Sequence, residues 1–176
     1  MKRSLTADEL RNLLHYEPTT GVFTWLRTDS RPPNWNALYV GKRAGYINKH
    51  LGRRLIAILV NGKKTRFYAA LLAWLYMTGE WPQHEVDHRS TDSADDSWDN
   101  LRAATSSQNK CNRKGNRTSA LGVKGIHFDK SRQKYLAQIC LGKTRHHLGR
   151  YDTIEEAAAA YATAAAELHG EFARTA

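Results

Sequence analysis

EVDHRSTDSADDSWDNLRAATSSQNKCNR, residues 85–113, carries an adjacent Asp87-His88 pair, then Asn100 inside DNLR, then Asn109 inside SSQN. An aspartate and an imidazole side by side near a strand end, with an amide oxygen returning from a following helix, could build one compact site. Asp87 and the Asn109 carbonyl oxygen are hard ligands suited to Mg²⁺. His88 titrates near neutral pH and can take a proton from water. A cation and a base are what phosphodiester hydrolysis needs. Taken singly, each residue has a plainer reading: Asp-His pairs are common in loops, Asn100 can be a turn residue, and Asn109 can be a surface amide or a helix cap. Their order and spacing together favour a site.

Around this stretch the charge is segregated. The chain of 176 residues has 27 Lys+Arg against 17 Asp+Glu, a formal charge of +10. Asp87, Asp92, Asp95, Asp96 and Asp99 all precede residue 100, whereas Lys110, Arg113, Lys114 and Arg117 follow with no acid among them. Between residues 122 and 150, seven basic side chains face Asp129 alone. Such blocks suit a polyanion lying along one face, because neutralised phosphates release condensed counterions. A basic solvated surface is the plainer alternative.

Other classes are excluded. The longest apolar runs, residues 55–60 and 69–75, fall far short of the roughly 20 residues a bilayer span needs. The start MKRSLTADEL has no apolar signal region, and Cys111 and Cys140 form no CxxC. The expectation is an intracellular, soluble protein with no membrane partner and no small-molecule cofactor. Its length allows one medium domain or two small ones.

Upstream, Thr6 and Glu9 form a capping-box pattern for a helix over about 7–15, followed by a strand at 22–26 and a loop, RPPNWN, at 31–36. Residues 53–60 and 63–68 flank Asn61-Gly62, the pair that favours a type I′ hairpin turn. AALLAWLYM, 69–77, reads as a buried helix. Downstream, GNRTSALG at 115–122 reads as a linker. Strands at 123–128, 134–141 and 144–150, with a Leu141-Gly142-Lys143 turn, then lead to a helix capped by Thr153 and Glu156 and stopped by Gly170. That helix places Ile154, Ala157, Ala158, Tyr161, Ala165 and Leu168 on one face.

The DH…N…N series, with LTADELRNLLHYEPTTGVFTW, VGKRAGYIN, GRRLIAILVNGKK and LAWLYMTGEWP ahead of it, resembles the HNH endonucleases of phage genomes, homing enzymes among them, in the variant whose last His is Asn. The resemblance covers about residues 5–115. It implies a ββα-metal motif over about 84–113, with His88 as general base, Asp87 and Asn109 as ligands of one divalent ion (Mg²⁺, with Mn²⁺ as the alternative), and Asn100 holding the loop and helping to orient His88. Arg102, Asn112 and Arg113 match positions that are often polar or basic in the family, and phosphate binding is the expectation for them. Relatives commonly carry His-Arg where FYAALLAW has Ala70 and Leu71.

Residues 122–173, with GVKGI, KYLAQI, HLGRYDT and EEAAAAYATAA, resemble the APETALA-two DNA-binding domain of plant transcription factors, in which a three-stranded sheet enters the major groove and a helix packs behind it. Strand alternation is an independent check: Tyr135, Ala137 and Ile139 would face the helix, and Lys134, Leu136, Gln138 and Cys140 the other way. Arg145 and His147 share a face, with His146 opposite. The resemblance carries DNA contact to Lys124, His127, Gln138, Arg145 and His147, and phosphate contact to Lys130, Arg132, Lys134, Lys143 and Arg150. A merely surface-exposed or partly buried imidazole is the plainer reading of each His.

The expectation is an α+β protein in two parts: an HNH nuclease domain over 1–117 and, over 118–176, a small three-stranded antiparallel sheet with one packed helix that reads DNA. Double-stranded DNA is the partner, the chain acts as a monomer or else a dimer, and the setting is the cytoplasm of a bacterial host. The rival is a DNA-binding protein whose HNH part is an inactive scaffold; Ala70 and Leu71 favour it, and the intact Asp87, His88, Asn100 and Asn109 favour the enzyme.

Overall fold

A computed structural model describes residues 5–112, 121–142 and 144–173. The chain is α+β and divides into two compact units, Met1–Ala103 and Ala104–Ala176. The joint expected near 118 lies outside the described residues, as do Arg113, Lys114, Arg117 and Lys143.

In the first unit, helix α1 (Ala7–Leu13) opens on the Thr6–Glu9 capping box. It stops short of residue 15 because Leu14 turns extended (φ −139°, ψ 136°) and begins strand β1, Leu14–Glu17. β1 pairs antiparallel with β2, Val22–Trp25. The RPPNWN segment is not a loop throughout: helix α2 runs over Pro33–Tyr39. Pro33 stands at the start of the helix, where a missing N–H costs nothing and a fixed φ already suits the helix.

Strands β3 (Tyr46–Asn48), β4 (Arg53–Val60) and β5 (Lys63–Tyr68) form an antiparallel sheet. At its hairpin Asn61 and Gly62 take φ of +50° and +73°, as the turn requires. Alternation along β4 turns Ile56 and Ile58 into the core. Helix α3 (Ala69–Thr78) buries Ala69, Ala70, Leu72, Ala73 and Leu75, and Gly79 ends it in the left-handed region, its N–H donating to the Leu75 carbonyl. The aromatic centre is Tyr16 against Phe23 (ring centroids 4.6 Å apart), with Tyr76 edge-on to both. Each large apolar side chain removed from water here contributes about 2 kcal/mol. This core carries strand β6 (Glu85–His88), a 3₁₀ turn at Trp98–Asn100, and β6's partner β7 (Leu101–Ala104). Helix α4 (Ser106–Cys111) follows, begun by a capping box of Thr105 and Gln108.

The second unit has strands β8 (Ile126–Asp129), β9 (Lys134–Leu141) and β10 (Thr144–Tyr151) in the order β10-β9-β8, all antiparallel, with helix α5 (Ile154–His169) packed on one face. β8 starts later than residue 123 because Gly125 is left-handed (φ +73°), and a Cβ there would lie 2.3 Å from the Tyr161 ring. Thr153, Glu156 and Gly170 bound α5 as expected. Ile126, Ala137 and Ile139 meet Ala157, Tyr161 and Ala165, small side chains that bring helix and sheet close. Leu168 is not part of that face: it is 38% exposed, because the buried stripe ends at Ala165 and burial passes to Phe172 of the following turn. Among the described residues no helix is long and apolar enough to cross a membrane.

Candidate active site

β6 ends on two titratable side chains that are nearly solvent-free, Asp87 at 5% and His88 at 4% exposure. Each has a charged partner. Across the β6–β7 pair, Arg102 Nε donates to Asp87 Oδ2 at 3.0 Å, and Nη2 forms an ion pair with the same oxygen at 2.9 Å, fixing the carboxylate's orientation. His88 meets Asp96, 3% exposed, through Nε2 and Oδ1 at 3.2 Å. Asp96 Oδ2 is buried and has no hydrogen-bond partner among the described residues.

Asn100 closes the loop between the two strands. Its Oδ1 accepts from the Ser90 N–H and its Nδ2 donates to the Asp95 carbonyl, both at 2.8 Å, while its own carbonyl accepts from Arg89 N–H. Thr91, just after His88, is held left-handed (φ +66°), costly for a β-branched residue, with its N–H on the His88 carbonyl at 2.9 Å.

The loop is also pinned from far away in sequence. The Tyr16 hydroxyl donates to the Asp96 carbonyl at 2.8 Å. Burial first, and the Asp96 charge second, push the Tyr16 phenol well above its ordinary pKa, so it stays protonated as a donor. Trp98 N–H donates to the Pro18 carbonyl at 2.8 Å, and its ring packs on Trp74 of α3. Gly21 lies so close to Asp96 that a Cβ would sit 2.3 Å from the Asp96 carbonyl carbon. Ser93 Oγ donates to the Gly52 carbonyl at 3.1 Å. Arg54 is also buried; burial and Arg43 lower its pKa, and Asp96 acts in the opposite sense, so the two charges feel one another.

The first unit therefore gathers Asp87, His88 and Asn100, as the motif led one to expect. Two contacts lay outside the sequence reading, that of Asp96 with His88 and that of Arg102 with Asp87. The side chain on His88 Nε2 is Asp96; the Asn100 amide is bonded to loop backbone at Ser90 and Asp95. Arg102, expected at phosphate, is bound to Asp87. An opposite charge on the neighbouring strand was a usable signal for Arg102. Among five acids in one loop, spacing alone could not single out Asp96. Asn109 is on α4, half-buried, in the second unit.

On the second unit's sheet, Tyr135, Ala137 and Ile139 pack toward α5, which sets Lys134, Leu136, Gln138 and Cys140 on the opposite face. The register places His127 and Arg150 beside Leu136, His147 beside Gln138, and Arg145 beside Cys140. A bulge between His147 and Gly149 lets Leu148 turn to the core and returns Arg150 to the outer face. His127, Lys134, Gln138, Arg145, His147 and Arg150 thus share one face. Lys124 precedes β8, and its Nζ donates to the Cys111 carbonyl. Lys134 pairs with Asp152 at 2.9 Å and Arg150 with Asp129 at 3.5 Å, exposed contacts worth little and easily exchanged. Cys111 and Cys140 are free thiols.

Residues 67–111 match the HNH endonuclease family. The chain is 31% identical over 114 residues to Protein 3.8 of Escherichia phage T7, an alignment covering 62% of this chain and 93% of that protein. Among solved structures it is similar to that of the HNH homing endonuclease I-HmuI, described for DNA binding and cleavage, at 22% identity and a TM-score of 0.38. That likeness covers 53% of this chain and 47% of the other, so the chain spans about half its length.

Proposed function

The chain belongs to the family of Protein 3.8 and carries an HNH endonuclease domain, and on that footing we propose that it is a metal-dependent DNA endonuclease. The observation that carries this reading is the β6 end, where a buried imidazole and a buried carboxylate are adjacent and each is fixed by a charged partner. Groups so held are costly for folding and suited to chemistry. His88 takes the proton of the attacking water, while Asn100 keeps the His88 loop closed around it. Asp87 fits a divalent-ion ligand, a hard carboxylate held in one orientation by Arg102, and the HNH resemblance gives the Asn109 carbonyl as the second hard oxygen. A bound Mg²⁺ or Mn²⁺ supplies charge neutralisation at the scissile phosphate.

The second unit is proposed as an APETALA-two-like reader whose outer face, with His127, Gln138, Arg145 and His147, lies on double-stranded DNA. A joint near 118 and a phage homing role inside a bacterial host complete the reading. Ala70 is buried and Leu71 packs on the core; the alternative these two residues favour is a DNA-binding protein whose HNH part is an inactive scaffold.

Supercoiled plasmid incubated with the full chain in Mg²⁺ is expected to be nicked, and EDTA to stop the nicking. No metal-dependent cutting of phage or host DNA would refute the enzyme reading.

A further inference from the structure

We infer that Asp96 is the positioning residue of His88, an inference that rests on the proposed role of His88 as base. The carboxylate meets Nε2, and both groups are nearly inaccessible, so the pair is not a chance surface contact. A carboxylate there accepts a hydrogen bond from Nε2–H and fixes the neutral ring as that tautomer, which makes Nδ1 the nitrogen that carries the lone pair. When Nδ1 takes a proton from water, the ring becomes cationic against a carboxylate that stays ionised. The proton remains on the ring and none passes to Asp96.

Two further observations separate this from a merely structural ion pair. Asp96 Oδ2 is buried without a hydrogen-bond partner among the described residues, so the side chain is held at a cost to stability. Its backbone is also fixed independently of the His88 contact, by the Tyr16 hydroxyl and by the close approach of Gly21, so the fold sets Asp96 in place and Asp96 sets the ring.

The test is Asp96→Asn in the full chain, with Asp96→Ala beside it. An amide can offer Nε2 either its oxygen or its NH₂, so it no longer dictates the tautomer. Expected for D96N is a kcat lowered about 10- to 100-fold, the scale seen for outer partners of functional histidines, with Tm equal to or above that of the parent. KM should stay within about twofold, since ground-state binding is untouched. Long-range ¹H–¹⁵N spectra of the imidazole should show the Nε2–H tautomer in the parent and a mixture in D96A. Unchanged kcat in a folded D96N, a fall in kcat matched by a fall in Tm, or an Nδ1–H tautomer in the parent would each overturn the inference. Were the parent to cut no DNA, the endonuclease reading would fail, and the tautomer spectra alone would decide the pairing.

Discussion

His88 of the first unit and the sheet histidines of the second are presented in opposite ways. At the end of β6, His88 is buried and held through Nε2 by a carboxylate whose own backbone is fixed by Tyr16 and Gly21. On β8 and β10, His127, His146 and His147 are exposed. The difference fits the two tasks proposed for these histidines, a base and a DNA reader. A base must sit in one geometry before substrate arrives, and the surrounding fold bears the cost of desolvating it. A reader must adapt to groove edges and exchange water and counterions, so its polar groups stay wet.

The sharpest way to break that contrast is to remove one histidine of each kind. His88→Ala is expected to lower turnover about 10²- to 10⁴-fold while leaving DNA affinity nearly unchanged. His147→Ala should do the reverse, weakening binding by about 1 kcal/mol with turnover at saturating DNA preserved. Cleavage rates and filter binding on both variants check the pair, and equal effects on both would erase the distinction.

Next in size is the ion pair beneath the site. Arg102→Met leaves the Asp87 carboxylate buried without its guanidinium and should cost about 3–5 kcal/mol in urea unfolding. A cost below about 1 kcal/mol would mean that Asp87 does not depend on Arg102. By contrast Gln138→Ala, on the outer face of the second sheet, should change stability by less than about 0.5 kcal/mol.

The smallest effect is a pH dependence in the second unit. The Ser131 hydroxyl first, with Arg132 and backbone N–H groups, holds Asp129 at a pKa of about 2. A carboxyl lowered on folding contributes stability above its unfolded pKa, and loses it as pH falls from about 4 to about 2. Thermal melts across that window should show Ser131→Ala less stable than the parent at pH 5 and converging with it near pH 2.

Local chemistry made much of the fold legible. Asn61-Gly62 specified its hairpin, Thr6 and Thr153 their helix starts, and the alternation of KYLAQIC assigned the faces of β9. The misreadings were also local. Pro32-Pro33 looks like loop until one asks which position of a helix tolerates proline. Leu168 fits the helical stripe, yet burial had already passed to Phe172. At the site, Asp87, His88 and Asn100 stood out by motif and are found together, whereas Asp96 depends on contacts from residues 16 and 21 that no short window contains.

That dependence bears on how portable the nuclease motif is. A graft of residues 85–112 into another scaffold would carry Asp87, His88, Asn100 and Asn109 but leave behind the Tyr16 hydroxyl and the glycine seat against which Asp96 rests. The recipient would own every lettered residue of the motif, and Asp96 with them, but neither of the two distant contacts that seat Asp96. The smallest transplantable version of this site begins ahead of residue 16.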